Sequence, residues 1–125
     1  MSYNHQEKAI NESWEALLAK EARCKAELRE INKHLDLAKD LHDQVDEIFH
    51  DIINSIERFE TSTGDDRSAY FDKTAHRKAM LDNEEGYQES MADLEAEKYR
   101  LEEERSYIYY QKEQFWKKQR EEKGI

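Results

Sequence analysis

Histidines, a cysteine and abundant carboxylates are the residues of this chain whose spacing could support chemistry. Glu47-x-x-His50 matches the step by which helical bundles hold a pair of metal ions. Those sites need two such steps and two further carboxylates on facing helices, and the sequence offers one. In the heptad frame of the first half of the chain, Glu47 and His50 fall at f and b, on the solvent side. Cys24 falls on an apolar column, where it acts as a small buried hydrophobe. Only ordinary neighbours, Arg23 and Lys25, are at hand to lower its pKa. No Gly-rich phosphate loop, GxSxG or HExxH is present. With 30 acids on helices, close carboxylate pairs are inevitable and without a cleft they serve solubility. These residues predict no metal, no cofactor and no enzyme, but a protein that binds another.

The elements that would position such residues are long helices. The 125 residues suffice for one domain. Charged residues make up 40% of them, and the formal charge is −10, so a phosphate backbone is a poor partner. Leu, Ile, Val and Phe number only 22, which with that charge would suit disorder. Yet Ala, Glu, Lys, Leu and Arg number 60 and proline is absent, as in coiled coils. One cysteine excludes an internal disulfide. No apolar run is long enough to span a membrane, and Met1 to Lys8 lack a secretory start. A soluble cytoplasmic protein is expected.

Spacing decides for helix. Residues seven apart from Ile10 are Leu17, Cys24, Ile31, Ala38, Val45, Ile52 and Phe59, column d. Column a is Trp14, Glu21, Leu28, Leu35, His42, Phe49 and Ile56. Thirteen of these fifteen are apolar, which predicts a helix packed along its length. Asn4 to Glu7 has the form of a capping box, so helix one is predicted over about 4–60. Residues 61–66, small and polar around Gly64, predict a turn, with Asp65 or Asp66 capping the second helix. Helix two, about 67–122, carries the column Met80, Tyr87, Leu94, Leu101, Ile108 and Phe115 beside Glu84, Met91, Lys98, Arg105 and Lys112. Gly86 allows a kink over 82–86.

The expected fold is therefore all-α, a single long antiparallel two-helix hairpin of coiled-coil type. Facing residues should have numbers summing to roughly 127, which pairs Trp14 with Phe115, Leu28 with Leu101, Leu35 with Leu94 and Phe49 with Met80. The polar a residues then find structural partners: His42 near Glu84 and Tyr87, and Glu21 within reach of Arg105. Between Leu41 and Phe59 the apolar stripe is wider than one facing helix covers. Leu41, Val45, Ile48, Phe49, Ile52, Ile53, Ile56 and Phe59 are accordingly the candidate partner-binding residues. Tyr107, Tyr109, Tyr110, Phe115 and Trp116 form a second apolar zone of the kind interfaces favour.

In plan the chain resembles the WXG-type helical hairpins of type VII secretion. It is most similar to the small partner proteins encoded beside LXG toxins in Gram-positive bacteria. The turn Thr61-Ser62-Thr63-Gly64 lacks the Trp-x-Gly of standard WXG members. The resemblance implies a targeting partner, or chaperone, for the N-terminal helical domain of such a toxin, alone or with a second small helical protein. It also implies export of the complex and a Tyr-x-x-x-Asp/Glu signal near a C-terminal end. Tyr109 and Glu113 fit that signal, as do Tyr3 with Glu7 and Tyr99 with Glu103. The alternative is an adaptor coiled coil that self-associates, for example as a homodimer, outside secretion.

Overall fold

A computed structural model describes the backbone of residues 2–64 and 66–123 and the side chains of 13–61 and 72–123. It consists of α1 (Ser2–Thr63) and α2 (Asp66–Glu122), which pack against each other as a helical hairpin. No helix of the described residues is long and apolar enough to cross a membrane. The helix begins at Ser2, so Asn4 lies inside it and not at its cap. The side chains of the Asn4–Glu7 box lie outside the described residues.

The turn is shorter than the six residues the sequence suggests. Thr61 to Thr63 remain helical, and the Thr61 hydroxyl donates to the Glu57 carbonyl at 2.9 Å, one turn back. The stop comes at Gly64, whose φ of 69° is the left-handed conformation that glycine enters freely. Its N–H donates to the Glu60 carbonyl at 3.0 Å, closing the end of α1. The possible cap Asp65 lies outside the described residues. α2 then continues as helix through 82–86, Gly86 included.

Contacts group the chain into two compact units. Residues 1–32 with 96–125 form a terminal unit, and residues 33–95 a turn-proximal unit. In the terminal unit Cys24, Leu28, Leu101 and Ile108 make the core, with Ile31 packed against them. The Cys24 thiol donates to the Leu101 carbonyl at 3.1 Å, and burial pushes its pKa up, as expected of an unreactive core cysteine. Trp14 lies 5.0 Å from Phe115 and 5.3 Å from Trp116, centroid to centroid. In the turn-proximal unit Leu35 and His76 are buried, and Phe49 meets the His76 ring at 5.1 Å.

Charge divides with the units. Residues 33–95 hold 17 acids against 7 Lys and Arg, whereas the terminal unit holds 13 of each. The whole excess of negative charge thus belongs to the turn-proximal unit.

Candidate interaction surface

The eight residues expected to bind a partner lie on α1 of the turn-proximal unit, and none is buried. They split into two sets. Val45, Phe49, Ile53 and Ile56 are half-buried. Leu41, Ile48, Ile52 and Phe59 are 53%, 56%, 42% and 50% exposed. Leu37, which the heptad reading passes over, is 57% exposed. At 100° per residue, Leu37, Leu41, Ile48 and Ile52 fall within about 60° of arc, one face of the helix. The reason lies in the helix period. Seven residues turn through about 20° less than two full turns, so a column at that spacing drifts off the seam unless the helices supercoil. After four heptads the drift approaches the angle between neighbouring residues, and e takes over from d. Ile53 and Glu60 are accordingly half-buried, while Ile52 and Phe59 of column d are exposed.

The rim of this face is acidic. Asp36, Asp40, Glu47 and Asp51 each immediately precede one of the four apolar residues, and all four are exposed. Glu47 and His50, which the heptad frame puts on the solvent side, are both exposed.

Beside this face the two helices are joined by a polar contact that the register anticipates. His42 Nε2 lies 2.6 Å from Glu84 Oε2, and the Tyr87 ring stacks on the imidazole at 3.8 Å. Gln88 donates to the other Glu84 oxygen at 3.3 Å. The hydrogen bond to Glu84 holds the His42 pKa above its ordinary value, and the same bond holds Glu84 below its own. Asp46, one turn after His42, brings a second carboxylate. Ligand atoms of His42, Asp46 and Glu84 lie within 4.8 Å of one another. One imidazole and two carboxylates are a donor set for a divalent cation. A cation would have to replace the existing His42–Glu84 hydrogen bond.

One expected pair is corrected. Glu21 meets Lys112, not Arg105, with Nζ to Oε2 at 3.0 Å, and Lys25 is also near at 3.7 Å. Helical side chains lean toward their own N-terminus. In an antiparallel pair Glu21 and Arg105, level at their backbones, therefore lean apart. Glu21 and Lys112 lean toward each other, and Glu60 with Lys73 repeats the geometry near the turn. The Lys112 hydrogen bond lowers the Glu21 pKa. The Lys112 ammonium also sits over the rings of Trp14 and Tyr109, at 5.5 and 5.9 Å.

In the terminal unit Tyr107, Tyr109, Tyr110 and Trp116 are exposed, whereas Phe115 is half-covered beside Trp14. Tyr109 and Glu113, the candidate signal, are both exposed one turn apart on α2. So are Tyr99 and Glu103, while the side chains of Tyr3 and Glu7 lie outside the described residues. A shallow groove bordered by Leu17, Lys20, Tyr110, Gln114, Phe115 and Lys118 adjoins these aromatics. No family model, curated protein or solved structure matches this chain.

Proposed function

We propose that the protein is a non-catalytic targeting partner, or chaperone, that docks through α1 onto the helical domain of an LXG-type toxin for type VII secretion. The observation that carries the docking part is the exposed apolar face at Leu41, Ile48 and Ile52. Burying such surface yields roughly 25 cal/mol per Å² before association costs. The secretion part rests on the resemblance of the chain to the small partners encoded beside these toxins. In this reading the protein works in the cytoplasm, and Tyr109 with Glu113, among exposed aromatics, contributes to the surface the export machine reads.

The test is co-expression with the N-terminal helical domain of an LXG-type toxin from the same genome, followed by size-exclusion chromatography with light scattering. A stable heteromer is expected. Ile48→Gln with Ile52→Gln should abolish it while circular dichroism keeps its helical signal. These two are the informative positions, because Ile56 is half-buried and its substitution would also disturb the hairpin. A variant that still co-elutes would show the docking face to be elsewhere. A chain that ignores the toxin domain and forms a homodimer would favour the adaptor reading.

A further inference from the structure

We infer that the exposed face of α1 takes a basic amphipathic helix, and not a second copy of this chain. The inference rests on reading Leu37, Leu41, Ile48 and Ile52 as a docking face, and it adds the chemistry of the occupant. Those four residues lie on one side of the helix over sixteen residues, about 22 Å or four turns at 1.5 Å per residue. An apolar strip of that length and width suits one helix laid along it, presenting residues at three- and four-residue spacing.

Charge then selects among helices. Each apolar residue of the strip follows an exposed acid, at Asp36, Asp40, Glu47 and Asp51. The unit that carries the strip has ten more acids than bases, whereas the terminal unit is balanced. These acids line one flank of the strip, so two copies packed antiparallel through this face would set the acidic rim of one against that of the other. Like charges juxtaposed at an interface weigh against that pairing, and opposite charges favour encounter. A helix with Lys or Arg flanking its apolar stripe meets both the strip and its rim.

The experiment uses the full chain and three labelled helical peptides about 20 residues long, with one apolar stripe flanked by Lys, Gln or Glu. A fourth peptide keeps the Lys residues and replaces the apolar ones with Ser. Fluorescence anisotropy at about 0.05 M and about 0.5 M salt reads binding. The Lys-flanked peptide should bind at least about tenfold more tightly than the Gln-flanked one, lose that advantage at high salt, and be weakened by Ile48→Gln with Ile52→Gln. The Glu-flanked and Ser-substituted peptides should bind least. Equal binding of the Lys, Gln and Glu peptides would overturn the inference, as would binding by the Ser peptide at the Lys peptide's affinity, or by none. So would a homodimer in low salt that the Ile48/Ile52 variant dissolves. The toxin reading fails separately: Lys-peptide binding without co-elution of an LXG-type toxin domain would leave this inference standing and remove that one.

Discussion

His42 and His76 each lie against an aromatic ring, with opposite accounts of their polar atoms. His42 was readable from sequence, because a polar residue in an apolar column needs a partner and the register put Glu84 and Tyr87 there. Asp46 was not, since in the heptad frame it lies beside the seam and the drift of the helix turns it inward. His42 has its pKa raised from 6.5 and Glu84 its own lowered from 4.5. The histidine's share of the stabilisation is therefore complete below about 6.5 and fades as pH rises through the raised value. The carboxylate's share is present above about 4.5 and is lost as pH falls through the lowered value. Asp43 and Asp46 also face the imidazole and push the same way. Thermal melts should show His42→Asn losing more stability against wild type at pH 6 than at pH 8, and an equal loss at both would contradict the assignment. His76 is buried with Nε2 unpartnered among the described residues, its ring against Phe49. An unmet buried polar atom costs about 1–3 kcal/mol, and the ring contact it would give up is worth about 0.5–1.5 kcal/mol. His76→Leu should then raise stability by about 1 kcal/mol in urea unfolding, and a loss would indicate a partner for that nitrogen.

At the scale of the helix, Gly64 and Gly86 are one residue type in two roles. Gly86 lies mid-helix and exposed, with open space where a Cβ would project. Gly86→Ala should stabilise the chain by about 0.5–1 kcal/mol, because alanine loses less backbone freedom on folding. Gly64 also has open space, but its φ of +69° is costly for any L side chain. Gly64→Ala should destabilise by about 1 kcal/mol. Denaturant midpoints that move in opposite directions for the two variants are the expected result; movement in the same direction would refute one of these backbone roles. The difference between them was partly legible, since Gly64 sits in a cluster of small polar residues and Gly86 in a charged run. The helical hairpin was legible throughout, because a seven-residue apolar repeat sustained over seven heptads has few other uses. Which part of that repeat stays buried was not. Column d holds buried Cys24 and exposed Ile52 alike, and letters assigned at fixed spacing take no account of a drift of about 20° per heptad. The Glu21 partner was missed for a related reason, that register compares backbone levels while ion pairs form at the ends of leaning side chains.

At the scale of the whole molecule, an apolar face and the charge around it oppose each other in self-association. Leu41, Ile48 and Ile52 would gain by being covered, and nearly any apolar surface, a second copy included, could cover them. What stands against the second copy is the excess of acids in residues 33–95, where 17 acids face 7 bases, and above all Asp40, Glu47 and Asp51 beside the strip. Repulsion between two such rims extends over about 10 Å at 0.1 M salt and about 3 Å at 1 M. The apolar gain from covering the strip is not screened in this way, and strongly excluded salts reinforce it. Removing the rim charge should therefore have the same effect as adding salt. Asp40→Asn, Glu47→Gln and Asp51→Asn together should raise the mass measured by light scattering at low salt, and Ile48→Gln with Ile52→Gln in that background should lower it again. The order of the two steps is what makes the test specific. Association that appears on neutralising the rim and disappears on blunting the strip locates both forces on one face of α1. Association that survives the loss of Ile48 and Ile52 would place the self-adhesive surface elsewhere, with the exposed Tyr107, Tyr110 and Trp116 of the charge-balanced terminal unit the next surface to substitute.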